Sequence, residues 1–131
     1  MKKNGILNSE ISKIFADLGH TDQIMIADVG LPIPEGIKKI DLAVELGKPK
    51  FSDVLSVILK EMEVEKYILA NEIQDSNQEQ LKNIKKYMNN IEVEWFSHNE
   101  LKQQSKKVKA VIRTGEATPY SNIILQSGVI F

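Results

Sequence analysis

The apolar residues of this chain occur in two patterns, a helical spacing and short continuous runs. Four of them near the start follow the i, i+3, i+4, i+7 spacing of an amphipathic helix: Ile11, Ile14, Phe15 and Leu18. This spacing predicts a helix over residues 9–18, with Asn8 or Ser9 as its cap and Gly19 at its end. The next run, Gln23–Ala27, is short, apolar and bounded by turn residues, so it predicts a buried strand.

The two patterns alternate along the rest of the chain. We predict five more strands, at residues 39–42, 64–70, 91–96, 107–113 and 121–125. Helices are predicted after Pro49 and Ser52 and over residues 75–89. Ser97 followed by Glu100 is a capping-box pattern, which predicts that a short helix begins there.

Alternating strands and helices indicate an α/β protein in which helices cover a central sheet. We expect a three-layer α/β/α architecture with a mixed, mostly parallel sheet of about six strands, because no helix separates the last two strands. The chain has 131 residues, which fits a single domain over residues 1–131. Two prolines and two glycines within residues 30–36 predict a loop after the first strand.

Charge and composition narrow the possible partners. The 17 basic and 18 acidic residues nearly cancel, which argues against nucleic acid or an anionic membrane surface as a partner. The small net charge of −1 permits self-association. No run approaches the roughly 20 apolar residues that span a bilayer, and the start of the chain lacks a signal-peptide core. We therefore expect a soluble, cytoplasmic protein with no nucleic-acid or membrane partner.

Few residues in this chain can perform acid–base chemistry, because it has two histidines and no cysteine. Only histidine has an unperturbed pKa near physiological pH, so His20 and His98, together with Asp28, suggest proton transfer. Asp28, Asn71 and His98 each follow the predicted end of a strand. Ligands of open α/β sheets bind outside the carboxyl ends of strands, so these three residues share one rim if their strands are parallel.

His20 has a different position, because it precedes the strand that Asp28 follows. A strand of five residues spans roughly 17 Å, so the two side chains cannot meet within one extended segment. Either the turn over residues 19–23 folds back over the rim, or His20 meets the Asp28 of a different subunit. Ordinary structural roles also remain open: a turn histidine is often a surface residue, a strand-end aspartate often caps a loop, and Tyr120 at a strand start could simply pack.

Other catalytic motifs are missing from the sequence. The two histidines and Asp28 match no compact metal-ligand spacing, and the absence of cysteine excludes thiolate catalysis and cysteine-based zinc sites. The segment at residues 115–118 lacks the lysine and the preceding glycine of a phosphate-binding loop. We therefore predict no metal site.

Several segments of the chain together resemble one known family, the RbsD/FucU family of sugar mutarotase-like proteins. The resemblance extends from end to end, and residues 51–90 contribute little to it. Its most specific segments are residues 1–8, Leu18-Gly19-His20-Thr21-Asp22, residues 26–34, Arg113-Thr114-Gly115-Glu116 and Thr118-Pro119-Tyr120-Ser121-Asn122.

This resemblance implies a function and a set of site residues. The implied reaction is the interconversion of β-D-ribopyranose and β-D-ribofuranose without metal or cofactor, with His20 as the catalytic proton donor. The residues implied to bind the sugar are Asp28, His98, Tyr120, Ser121 and Asn122. The resemblance also implies a ring-shaped homo-oligomer, a decamer of two stacked pentamers, with sites at subunit contacts.

The implied reaction suits these residue types, because opening and closing a cyclic hemiacetal moves only protons. A carboxylate accepts sugar hydroxyl hydrogens, and an asparagine amide both donates and accepts. A competing hypothesis is a sugar-binding protein without catalysis, an accessory to ribose transport, which would use the same polar rim. A metal-dependent aldose isomerase is a third hypothesis, and it needs more ligands than this chain offers.

Overall fold

The computed structural model describes residues 1–131 and contains one six-stranded sheet with five α-helices. In chain order the strands are β1 (Gln23–Ala27), β2 (Lys38–Asp41), β3 (Val64–Ala70), β4 (Glu92–Phe96), β5 (Ala110–Arg113) and β6 (Ile123–Ser127). The helices are α1 (Ser9–Asp17), α2 (Phe51–Ile58), α3 (Ile73–Ser76), α4 (Gln78–Tyr87) and α5 (His98–Gln104), and a 3₁₀ turn covers Ser105–Lys107. None of the helices has the length and apolar character needed to cross a membrane.

Five of the six strands run in the same direction. The strand order is β2-β5-β1-β6-β3-β4, and β6 lies antiparallel between β1 and β3. The other neighbouring strands pair in parallel. The ends of β1 to β5 and the start of β6 therefore lie at one edge of the sheet, which we name the carboxyl edge, and the opposite edge is the amino edge. The predicted mixed, mostly parallel α/β sheet is confirmed.

The two faces of the sheet are covered unequally. Helices pack against one face of the sheet and form with it a core of 20 buried residues. The helical residues of this core include Ile11, Leu55 and Ile84. The other face has 9 buried core residues, covered by Leu101 of α5 and by Leu31 in the loop after β1. Because side chains alternate along a strand, β1 supplies both cores: Ile24 and Ile26 enter the larger one, Met25 and Ala27 the smaller. The result is the predicted three-layer arrangement.

The predicted N-terminal caps of α1 and α5 are present. The Asn8 side chain accepts a hydrogen bond from the Ile11 N–H at 3.0 Å and so begins α1. At α5, the Glu100 N–H donates to the Ser97 hydroxyl at 3.1 Å, and the Ser97 N–H donates to the Glu100 carboxylate at 3.1 Å. This reciprocal pair is the capping box that the sequence predicts, and it places His98 at the first position of α5.

The predicted helix over residues 75–89 is wrong, because two helices occupy this region. Asn77 separates α3 from α4 with φ −153° and ψ 65°, and its side chain caps α4 by accepting from the Gln80 N–H at 3.2 Å. The Asn77 amide also donates to the Pro119 carbonyl at 2.8 Å, 42 residues away in sequence. This contact links the junction between α3 and α4 to the loop before β6, and the local apolar pattern does not predict it.

The last two strands also differ from the prediction at their starts. β5 begins at Ala110, because the segment before it turns through the 3₁₀ turn Ser105–Lys107. β6 begins at Ile123, so Ser121 and Asn122 precede the strand. The strands predicted at Gln23–Ala27 and Val64–Ala70 have the bounds that are observed.

Candidate active site

A cleft of about 270 Å³ opens at the carboxyl edge of the sheet. Its walls come from the loop after β1, from the start of α5 and from the loop before β6. They include Asp28, Leu31, Pro32, His98, Lys102 and Tyr120. Residues that are far apart in sequence meet here because β1 and β4 end at the edge where β6 begins.

Asp28 is held by Asn122, which is fully buried. The Asp28 N–H donates to Asn122 Oδ1 at 2.9 Å, and Asn122 Nδ2 donates to Asp28 Oδ2 at 2.9 Å. The other carboxylate oxygen, Oδ1, accepts from the Gly30 N–H at 3.0 Å. These bonds orient the carboxylate in the cleft wall, and each oxygen keeps a lone pair that can accept a hydroxyl hydrogen.

His98 presents a ring nitrogen that the protein leaves unpaired. Its backbone N–H is held by the Glu72 carboxylate, at 3.1 and 3.0 Å from the two oxygens. Its ring packs edge-on against Tyr120, with 5.1 Å between the ring centroids and 83° between the ring planes. Nδ1 is buried without a hydrogen-bond partner. A buried polar atom without a partner costs about 1–3 kcal/mol, so a ligand that satisfied Nδ1 would gain from doing so.

The protonation state of His98 follows from its surroundings. Burial lowers the pKa of His98 below its ordinary value, and the positive charge of Lys102 lowers it further. The carboxylates of Glu72 and Asp28 oppose this shift without reversing it. At neutral pH the imidazole is therefore uncharged, with one ring nitrogen a donor and the other an acceptor.

Tyr120 is set by an unusual backbone conformation in the loop before β6. Its φ of 56° lies in the left-handed region, which non-glycine residues seldom adopt. The preceding carbonyl, that of Pro119, accepts the hydrogen bond from Asn77 at 2.8 Å. The turn places the Tyr120 ring against His98, so the loop and the start of α5 form one wall of the cleft.

Ser121 lies within the protein and does not line the cleft. Its side chain is fully buried, and its hydroxyl is 2.8 Å from Thr118 Oγ1 and 3.1 Å from Gln80 Nε2. Glu116 extends this network: its carboxylate accepts from the Phe51 N–H at 3.1 Å and from Thr118 Oγ1 at 3.0 Å. Glu116 thus connects the loop to α2 and Ser121 connects it to Gln80 of α4, with the Ser121 hydroxyl directed to Gln80 and Thr118.

His20 lies at the amino edge, away from the cleft. It is in the turn between α1 and β1, and its exposed ring has Nε2 at 2.8 Å from Glu65 Oε2. The turn is tied to β6, because the Thr21 N–H donates to the Ser127 carbonyl at 2.9 Å and the Ser127 N–H donates to the Asp22 carbonyl at 2.8 Å. Within one chain the turn therefore does not fold back over the rim, and the length of β1 separates His20 from Asp28.

Two polar residues at the carboxyl edge have roles that the sequence did not indicate. Lys102 lines the cleft one helical turn after His98, and Glu72 fixes the start of α5. Their only sequence signal is a position near a strand end or a helix start. Asn71, which follows β3 as expected, is exposed and does not line the cleft. No group of three or more His, Cys, Asp or Glu side chains is placed to hold a metal ion.

This geometry suits a small polyhydroxylated ligand. A fixed carboxylate, an imidazole, a lysine and an aromatic ring line one cleft, and these group types can contact hydroxyl groups or an apolar ring face. None of these groups is a strong nucleophile, so the arrangement favours hydrogen bonding and proton transfer over covalent catalysis.

Comparison with known proteins gives matches over the whole chain. Residues 1–130 match the model of the RbsD / FucU transport protein family. A D-ribose pyranase of Bacillus cytotoxicus is 57% identical over 131 residues, covering 100% of both chains. The structure of Bacillus subtilis RbsD complexed with D-ribose superimposes with a TM-score of 0.98, at 56% identity and 100% coverage of both chains. A fucose mutarotase of Streptococcus pneumoniae, crystallised with L-fucose, shares the fold with a TM-score of 0.81 at 21% identity and 95% coverage.

Proposed function

The chain belongs to the RbsD / FucU transport protein family, and from this premise we propose that it is an isomerase that interconverts β-D-ribopyranose and β-D-ribofuranose. Full-length relatives at 57% and 56% identity, one named D-ribose pyranase and one with D-ribose bound, support this reaction and this substrate. We place the activity in ribose utilisation in the cytoplasm, where a chain without cysteine has no disulfide to lose.

The reaction requires only proton movements. Opening the pyranose transfers a proton from the anomeric hydroxyl to the ring oxygen and leaves an open-chain aldehyde. Rotation then brings the 4-hydroxyl to the carbonyl carbon, where its attack closes the furanose and its proton passes to the former carbonyl oxygen. A placed acid or base contributes about 10²–10⁴-fold to such steps. Holding the 4-hydroxyl near the carbonyl adds a proximity effect.

The observation that carries the proposal is that Asp28 and His98, whose Nδ1 has no partner in the protein, line one cleft. We assign the Asp28 carboxylate to accept sugar hydroxyl hydrogens, held in place by Asn122. We assign Nδ1 of the neutral His98 ring to accept a hydrogen from a sugar hydroxyl, which would give this nitrogen a partner. Tyr120 packs its ring beside the sugar, and Ser121 supports the loop that carries Tyr120.

His20 is assigned as the proton donor, and its position then requires a second copy of the chain. His20 lies at the amino edge while the cleft lies at the carboxyl edge, so we propose that His20 of one subunit enters the cleft of its neighbour. The ring at the turn is exposed, which leaves it accessible to a neighbouring subunit. We further propose the assembly implied by the family resemblance, a decamer of two stacked pentameric rings.

The reaction is tested by NMR saturation transfer between the pyranose and furanose signals of D-ribose, with EDTA present. We expect the protein to speed exchange between the two forms, with no loss of rate on chelation. A sugar-binding protein without catalysis would broaden or shift the signals and leave the exchange rate unchanged. That outcome, or activity that vanishes with EDTA and returns with one divalent ion, would contradict the proposal.

The shared site is tested by mixing two inactive variants, His20→Ala and Asp28→Ala, after dissociation and reassembly. If each site takes His20 from one subunit and Asp28 from another, random assembly restores roughly a quarter of the wild-type sites. Each variant alone is the control. A mixture that stays as inactive as its components, although sedimentation shows mixed assemblies, would mean that the site is not shared.

A further inference from the structure

The amino edge of the sheet holds a continuous chain of hydrogen-bonded side chains that ends at His20. Gln104 Nε2 donates to Gln23 Oε1 at 2.8 Å, and Gln23 Nε2 donates to Gln126 Oε1 at 2.9 Å. Gln126 Nε2 then donates to Glu65 Oε1 at 2.7 Å. The chain crosses α5, β1, β6 and β3, and every amide in it donates in the direction of Glu65.

This arrangement fixes the Glu65 carboxylate on the side facing His20. One oxygen, Oε1, is occupied by Gln126, and the other, Oε2, is 2.8 Å from His20 Nε2. Hydrogen bonds from Gln126 and then from His20 hold the pKa of Glu65 below its ordinary value, so the carboxylate is ionised at neutral pH. An ionised carboxylate only accepts hydrogen bonds, which requires His20 Nε2 to carry the proton in their shared bond.

We propose that Glu65 is a positioning residue, which orients the His20 imidazole and presents its Nδ1 for proton exchange with the sugar. The inference rests on the proton-donor role proposed above for His20. A histidine with one ring nitrogen hydrogen-bonded to a carboxylate has a defined tautomer and a defined ring orientation. The turn around His20 is itself held by the Gly19 N–H, which donates to Asp22 Oδ2 at 2.9 Å.

The position of the pair indicates a role in orientation more than in stability. The two side chains are 52% and 36% exposed, and ion pairs exposed to this degree contribute little to folding. An exposed imidazole that must enter a neighbouring subunit's cleft would otherwise rotate freely. Glu65 removes that freedom, since no other side chain hydrogen-bonds the His20 ring.

The test is a double-mutant cycle on the exchange rate of D-ribose, using Glu65→Ala, His20→Ala and the combined variant. We expect Glu65→Ala to lower kcat on the order of tenfold, as for other partners that orient a functional imidazole. KM should change little, because the cleft residues are untouched. In the His20→Ala background the Glu65 substitution should have no further effect, since it acts only through His20.

Two more variants sharpen the result. Glu65→Gln keeps an oxygen that can accept from Nε2 but loses the charge, so its rate should lie between those of wild type and Glu65→Ala. Glu63→Ala removes another exposed glutamate at the same edge, which makes no side-chain hydrogen bond, and should match wild type.

The outcomes separate this inference from the proposed function. If wild type does not speed ribose exchange, or His20→Ala is fully active, the proposed function or the role of His20 fails. If His20→Ala is slow but Glu65→Ala matches wild type, or if the two effects add, the positioning role of Glu65 fails. Sedimentation of each variant at wild-type mass shows that a lower rate does not come from lost assembly.

Discussion

The two histidines of this chain lie at opposite edges of one sheet and in contrasting surroundings. His98 at the carboxyl edge is partly buried, packs against Tyr120 and has an unpaired ring nitrogen. His20 at the amino edge is exposed, lies in a turn and hydrogen-bonds Glu65. Burial lowers the pKa of His98 and favours its neutral form, whereas the contact with Glu65 fixes the ring of His20.

In the proposed function, one chain divides the work of a site between its two edges. The carboxyl edge contains the cleft proposed to bind the sugar, because parallel strands and the start of β6 meet there. The amino edge contains His20, the proposed proton donor, with an exposed ring. The two proposed roles lie on different subunits of the assembly, so the assembly is what would complete the site.

The largest expected effect comes from removing the chemistry of the amino edge. His20→Ala should slow pyranose–furanose exchange by about 10²–10⁴-fold, the usual contribution of a placed acid or base. The exposed side chain leaves no cavity, so the thermal unfolding midpoint should stay near that of wild type. Saturation transfer and a thermal melt measure the two quantities. A His20→Ala rate equal to that of wild type would contradict the proton-donor role proposed for the amino edge.

The counterpart at the carboxyl edge is Asp28→Asn, which should weaken binding more than it slows chemistry. The amide keeps the shape but loses the charge-assisted acceptor, so ribose affinity should fall roughly ten- to a hundredfold. Calorimetry with D-ribose measures the loss. The matched control is Asp75→Asn, an exposed aspartate in α3, which should bind like wild type. Unchanged affinity in Asp28→Asn would place the sugar elsewhere.

A smaller expected effect is a pH dependence of stability and ribose affinity that comes from His98 at the carboxyl edge. The pKa of His98 lies below its ordinary value of 6.5, so the unfolded chain binds more protons than the folded one as pH falls. The stability contributed by neutral His98 is complete above 6.5 and is lost as the pH falls toward the lowered pKa. Ribose affinity should follow the same profile, because protonation removes the acceptor nitrogen of His98.

This pH dependence is measured by calorimetry between about pH 7.5 and 5, in wild type and in His98→Gln. The glutamine variant keeps a polar group that does not titrate, so its affinity profile should be flatter. Superimposable profiles for the two proteins would show that another group controls binding at low pH.

The smallest expected effect concerns the last three residues, Val129, Ile130 and Phe131, whose side chains are exposed in the single chain. Burying an apolar side chain fully is worth roughly 1.5–3 kcal/mol, so we expect these residues to pack at a subunit contact near the shared site. Their deletion should lower both oligomer mass and exchange rate, by sedimentation and saturation transfer. A truncated protein with the oligomer mass and exchange rate of wild type would show that the subunits form an active assembly without this segment.

Local sequence patterns predicted most of the helices and strands and one feature of the site, the shared position of Asp28 and His98. Strand-end positions put Asp28 and His98 on one rim before any pairing was known, and the structure has both in one cleft. Asn71 also follows a strand end and was expected on this rim, but its side chain lies outside the cleft. The local pattern did not predict that Ser121 makes buried hydrogen bonds to Gln80 and Thr118. The end of a strand can be predicted from neighbouring residues, whereas the hydrogen-bond partners of a side chain come from elements distant in sequence.

The sequence by itself determined where strands and helices form, because apolar spacing and capping residues act over a few neighbouring positions. Only the tertiary structure decided that β6 inserts antiparallel between β1 and β3 and so brings Asn122 beside Asp28, 94 residues away. It also decided that three glutamines form a hydrogen-bonded chain to Glu65, which contacts His20 at the opposite edge. Strand order depends on packing both faces of the sheet at once, and no local period in the sequence encodes that choice.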